Sequence, residues 1–131
     1  NGWDSSISPD GAWSDNTKTV NDPCPAGFRI PTESQWDGVL GNNVQSIVGT
    51  WSSNDTNFSS ARFFGNDLML PAAGHRGSFS GSVNDRGNNG DYWSSTEYTV
   101  SVARFMRFND SSSYTSLSGR GNGNSIRCVA E

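Results

Sequence analysis

The 131-residue sequence has no long hydrophobic run, one lysine, one histidine and two cysteines. No stretch approaches the roughly 20 apolar residues of a membrane-spanning helix, so insertion of this domain into a membrane is not expected. Lys18 stands beside eight arginines in a chain of net charge −4 and pI about 4.8. Phosphate-rich partners need clustered positive charge, so nucleic acid is not an expected partner. With His75 alone and no C-x-x-C pair, a zinc site lacks ligands. There is no G-x-S-x-G elbow and no glycine loop followed by lysine to cradle phosphate. No catalytic constellation stands out, and no turnover is expected.

What is present is polar and turn-forming. Ser, Gly, Asn and Thr number 22, 15, 14 and 8, against a hydrophobic fraction of 32%. Loops must therefore make up much of the fold, and helical bundles and coiled coils are excluded. Five Trp, seven Phe and three Tyr supply the apolar area for one core, so residues 1–131 read as a single domain. Asn1-Gly2-Trp3 opens with neither a basic stretch nor an apolar signal core, which reads as a domain cut from a longer chain. So loop-rich a domain fits an extracellular setting, where a disulfide could staple it. Cys24 and Cys128 are either two free thiols or one bridge. Closing a loop of that length stabilises by roughly 4–5 kcal/mol in the chain-entropy model.

Residues 1–21 read as an irregular lead-in anchored by Trp3 and Trp13. Phe28-Arg29-Ile30 alternates like a short strand. Thr32-Glu33-Ser34-Gln35 is a capping box, followed by an apolar stripe at Trp36, Val39 and Leu40, with Gly41 placed to end the helix. Val44, Ile47 and Val48 suggest a second helical turn, and residues 50–60 a polar loop around Trp51 and Phe58. Asp67 to Pro71 reads as a buried strand, and Gly74 to Gly90 as a long loop. Further strands are expected at Asp91–Ser94, Ala103–Phe108 and Ser125–Val129. The fold class is α+β, loop-rich, with short strands and one or two helices. The expected core is Phe28, Ile30, Trp36, Leu40, Leu68, Leu70, Trp93, Met106 and Ile126.

His75, in Gly74-His75-Arg76-Gly77, reads as a loop histidine satisfied by backbone; a catalytic role beside Asp85 or Asp91 would need it to line a cleft. The pairs Asn54-Asp55, Asn66-Asp67, Asn84-Asp85 and Asn109-Asp110 fit either turn chemistry or calcium held by an irregular loop, none being in an EF-hand frame. Asn54, Asn57 and Asn109 also match the glycosylation sequon, which an Asn/Ser-rich chain produces by chance. Residues 97–124 are distinctive. Tyr and Arg anchors alternate there with Ser, Gly and Asn, as in antibody paratopes; the bland alternative is a solvated β-hairpin.

Asp22-Pro23-Cys24-Pro25-Ala26-Gly27-Phe28-Arg29-Ile30-Pro31-Thr32 with Gln35-Trp36, then Leu70-Pro71-Ala72-Ala73-Gly74-His75-Arg76, Gly90-Asp91-Tyr92-Trp93-Ser94-Ser95-Thr96 and Ser125-Ile126-Arg127-Cys128-Val129, occur in that order. Together they resemble the Fibrobacter succinogenes major paralogous domain over residues 22–129. The resemblance implies a C-type-lectin-like fold of the formylglycine-generating-enzyme branch, with Cys24 bridged to Cys128. The Glu-Pro-Asn and Gln-Pro-Asp tripeptides of calcium-dependent lectins are absent, as are the paired catalytic cysteines of the formylglycine-generating enzyme. Neither activity is implied, and no cofactor is expected beyond calcium in an irregular loop.

Domains of this family are similar to the variable proteins of diversity-generating retroelements, in which adenines near the gene's end are randomised. Residues 94–131 contain no Lys, Gln or Trp, which an Asn codon cannot reach by changing adenines. The resemblance thus implies a non-catalytic, receptor- or adhesin-like domain of a bacterium or phage whose C-terminal surface, residues 97–124, is diversified. Its partner would be a protein or glycan on a cell surface, and its location the cell exterior or a virion. The expected contact residues are Glu97, Tyr98, Thr99, Ser101, Arg104, Phe105, Arg107, Asn109, Asp110, Ser112, Tyr114, Ser116, Arg120 and Asn122. The alternative is a fixed carbohydrate-binding or adhesin domain of a secreted bacterial surface protein, with Trp51 as the exposed sugar-stacking residue.

Overall fold

The computed structural model describes residues 3–131. The capping box forms as expected: Thr32 Oγ1 accepts from Gln35 N at 3.1 Å, and Gln35 Oε1 accepts from Thr32 N at 2.9 Å. Helix α1 then runs Glu33–Asn42, through Gly41 rather than ending at it. Its last carbonyls need no left-handed glycine, because side-chain amides reach back to them. Asn42 Nδ2 donates to Gly38 O, Asn43 Nδ2 to Val39 O and Gln45 Nε2 to Leu40 O.

The short strands are β1 (Phe28–Arg29), β2 (Gln45–Val48), β3 (Ala61–Phe64), β4 (Leu68–Pro71), β5 (His75–Arg76) and β6 (Val83–Asn84). They are followed by β7 (Gly90–Thr99), β8 (Val102–Phe108), β9 (Ser113–Gly119) and the closing β10 (Val129–Ala130). The architecture is α+β, with antiparallel groups β1-β10, β2-β3-β4, β5-β6 and β7-β8-β9.

Several expectations are corrected. Residues 45–48 form a strand, not a helical turn. Val44, Ile47 and Val48 face solvent, so their spacing marks no buried stripe, and β-branched residues suit the β3 ladder. In β4 only Leu70 is buried. The Gly74–Gly90 loop contains the β5–β6 pair. The last expected strand shrinks to Val129–Ala130, while Ser125 makes a separate bridge to Tyr92. Phe28, expected in the core, is 43% exposed because β1 pairs only with β10 at the edge.

The long sheet has apolar groups on both faces. Toward α1, β3 and β4 lie Tyr92, Met106 and Phe108, clustered with Trp36, Phe64, Leu70 and Ala72. Phe108 is the hub, its ring centroid 6.3, 5.8 and 6.0 Å from those of Trp51, Phe64 and Tyr92. Gly90 must be glycine, since a Cβ there would lie 2.0 Å from Phe108 Cζ. Burial pushes the Tyr92 phenol well above its ordinary pKa, and its hydroxyl donates to Pro71 O. On the opposite face Trp93, Ala103 and Phe105 form a smaller cluster with Trp13 and Ile126.

Cys24 and Cys128 are disulfide-bonded, beside the β1–β10 pair. Asp22 fixes this corner by accepting from Cys24 N, Ile30 N and Lys18 Nζ. Burial raises its pKa, but those three donors outweigh burial and hold the carboxyl below its ordinary range. Trp13 and Trp3 anchor the lead-in: Trp13 packs edge-on against Trp93, and Trp3 Nε1 donates to Ser78 O. Asn1 and Gly2 lie outside the described residues. Among the described residues no helix is long and apolar enough to cross a membrane.

Candidate binding surface

Strands β7, β8 and β9 position the expected contact residues. In register, Arg104 faces Leu117 and Arg107 faces Tyr114. Alternation puts residues 104 and 107 on opposite faces. The two hairpin turns lie at opposite ends of β8, about 20 Å apart at 3.3 Å per residue. Twelve of the fourteen residues therefore form two groups rather than one patch, with Phe105 and Ser116 between them.

At the β7–β8 turn are Glu97, Tyr98, Thr99 and Ser101, with Arg104, Arg120 and Asn122 nearby. Tyr98 is 57% exposed, and the Arg104 guanidinium carbon lies 4.8 Å above its ring. Arg104 also meets Glu33 of α1 at 3.3 Å. Leu117 and Val100 add exposed apolar surface beside them. Arg120 is not free for a ligand: its side chain is 6% exposed and pairs with Asp10 at 2.7 Å and Glu97 at 3.5 Å. Glu97 also accepts from Gly11 N. Asn122 is engaged with Ser78 N and Ser118 Oγ. The lead-in thus occupies two of these seven side chains, Glu97 and Arg120.

At the other end are Arg107, Asn109, Asp110, Ser112 and Tyr114. Asn109 Oδ1 accepts from the backbones of Ser111 and Ser112, an Asx turn that shapes the loop. The same pattern recurs at Asn54 with Thr56 and Asn57 with Ser59, which explains the Asn-x-Ser/Thr words as turn chemistry. Among the described residues no group of three or more His, Cys, Asp or Glu is placed to hold a metal ion.

Phe105, expected as an anchor, is 4% exposed and belongs to the smaller core, edge-on to Trp93. Ser116, its partner on β9, is half-buried. Trp51 is likewise no sugar platform, because its ring packs against Phe108. For Phe105 a surface role could not be separated from a core role without knowing which face β8 buries, and Trp51 lies in the loop between β2 and β3, where no periodicity marks a buried side.

Sequence reasoning missed the charged cluster beneath Arg107. Asp91 is 0% exposed. Arg107 Nε donates to its Oδ1 at 2.7 Å and Nη2 to its Oδ2 at 2.8 Å, while His75 Nδ1 lies 2.9 Å from Oδ2. These bonds hold the Arg107 proton more firmly than usual, raising its pKa. His75 is therefore satisfied by a buried carboxylate rather than by backbone, and it lines a recess with Arg76, Arg86, Asn124 and Ser125. An aspartate inside the Gly90-to-Ser95 strand word was the available signal, since a buried carboxylate requires partners. Set against known protein families, curated proteins and solved structures, the chain matches none of them.

Proposed function

We propose that this is a non-catalytic recognition domain of the C-type-lectin-like class, related to the variable proteins of diversity-generating retroelements, whose exposed β7–β9 positions contact a protein or glycan on another cell. One observation carries the reading. Within residues 97–124 the side chains divide into a buried set, Ala103, Phe105, Met106 and Phe108, and an outward set of Tyr98 and Tyr114, with Arg104 half-buried against Tyr98. Outward positions can change without unfolding the scaffold, and exposed Tyr and Arg are the residue types that anchor interfaces. The disulfide suits a location outside the cell, on a cell surface or a virion.

Sequencing the gene across isolates tests the reading. The expected result is substitution at adenine-bearing codons of the outward positions, with the buried four constant. Substitutions spread evenly over loops 50–60 and 77–89 would leave a fixed adhesin domain instead. A second reading, catalysis, is favoured by the His75–Asp91 contact, the orienting half of an acid–base pair. Hydrolysis of nitrophenyl glycosides or esters that vanishes in His75→Gln would establish it.

A further inference from the structure

The recess of about 220 Å³ beside β5 and residues 123–125 has a chemical character that the rim does not share. Its wall is closed by paired backbone bonds, Arg76 N to Gly123 O and Gly123 N to Arg76 O. Gly74 at its margin has φ +66° and sits so tightly on residues 84–86 that a Cβ would lie 2.0 Å from Asn84 O. The lining is cationic and donor-rich. Arg76 and Arg86 contribute two guanidinium groups, each anchored through Nη1 to a backbone carbonyl, Gly81 O and Asp55 O. Asn124 adds a buried Nδ2 with no hydrogen-bond partner. An unpaired buried donor is costly, so a turn of the Asn124 side chain that brings Nδ2 to a ligand acceptor gains the full bond.

The nearby carboxylates do not cancel this charge. Arg107 neutralises Asp91 on both oxygens, and Asp85, in the adjoining loop, does not line the recess. Because the Asp91 carboxylate can only accept, His75 Nδ1 is the donor, and in the neutral imidazole that leaves Nε2 as an acceptor. Two complementary demands result: an oxyanion for Asn124 and the arginines, and a hydroxyl donor for His75.

We propose that this recess binds an acidic sugar, its carboxylate or sulfate on Asn124 Nδ2 and the guanidinium groups and a ring hydroxyl on His75 Nε2. An acidic peptide side chain meets only the first demand, and Ala73 and Val83 are the only apolar side chains of the lining it could rest on. His75, which lines the recess, meets Asp91 on one side as Arg107 does on the other, so the recess forms a fixed subsite linked through Asp91 to Arg107 and its strand partner Tyr114. The proposal takes the glycan branch of the function proposed above.

The test is NMR titration of the intact domain, at matched ionic strength, with glucuronic acid, N-acetylglucosamine 6-sulfate, neutral N-acetylglucosamine and a tetraglutamate peptide. Either or both acidic sugars should shift the Asn124 side-chain amide and backbone signals of residues 74–76 and 123–125, and neutral sugar should not. Response to one acidic sugar alone identifies the carboxylate or the sulfate as the recognised group. Asn124→Asp, which sets a like charge against the anion, and Arg86→Gln should each weaken binding at least tenfold. Shifts absent for both acidic sugars, binding unchanged in folded variants, or tetraglutamate binding tighter than either sugar would overturn the proposal. Failure here leaves the rim reading intact. Evenly spread gene variation together with acidic-sugar binding leaves the recess as the site of a fixed lectin.

Discussion

The two faces of the β7–β8–β9 sheet are stabilised by different physics. Toward α1, Phe108, Met106 and Tyr92 join a cluster of seven buried residues, and stability there comes from area removed from water and close ring contacts. On the other face only Trp93, Ala103 and Phe105 are clustered, and beyond them the sheet is held by a buried carboxylate shared between an arginine and a histidine. The first face tolerates little change in volume. The second depends on charge matching, so it can carry solvated, exchangeable side chains at its margin. The contrast teaches that a scaffold held by charge matching leaves more room for side-chain exchange than one held by jigsaw packing.

Phe108→Ala tests the apolar face most severely. It removes the hub of three ring contacts, with an expected loss of about 3–5 kcal/mol in chemical denaturation. Phe105→Ala should cost less, because its cluster is smaller; an equal loss would erase the contrast between faces. Replacing both cysteines by serine should lower stability by roughly 4 kcal/mol, read from the denaturation midpoint together with the steeper slope of a more expanded unfolded chain. Asp91→Asn should cost about 2–3 kcal/mol, the low side for a broken buried pair because Arg107 is partly solvated.

Smaller still is an acid effect at the corner. Asp22 titrates below its unfolded value in the folded state, so its contribution is complete above the ordinary carboxylate pKa. That contribution is lost as pH falls through the folded value. Asp22→Asn should flatten this limb of the stability profile, and an unchanged profile would assign acid sensitivity elsewhere. Last, Arg104→Ala should move stability by less than about 1 kcal/mol, since its Glu33 pair is only half-buried. A larger loss would make Arg104 part of the scaffold rather than of the contact surface.

Local signals were legible. Thr32 and Gln35 announce the helix because a capping box needs only four adjacent residues, and Ala103 to Phe108 announce a strand by their own composition. The pairing of Cys24 with Cys128 was left open by the residues alone and indicated by resemblance. Long-range facts were not legible. The register shifts between Trp93 and Glu97 decide which side chains share the Ala103 face, and no sequence pattern marks them. Phe105, Trp51 and His75 were misplaced for one reason: what a ring or imidazole touches is set by residues 12 to 57 positions away. The occupation of Glu97 and Arg120 by the lead-in depends on a chain return of more than eighty residues.

The Cys24–Cys128 bridge also has a mechanical meaning. Pulled from a point before Cys24 and a point after Cys128, the chain would first shed the lead-in, whose hold is a few hydrogen bonds and two indoles. The load then meets the covalent link, which carries tension straight across the clasp and withholds about 350 Å of extendable chain. Strands β7, β8 and β9 lie wholly inside that shackle, so tension applied across the two cysteines would bypass them and leave their pairing in shape.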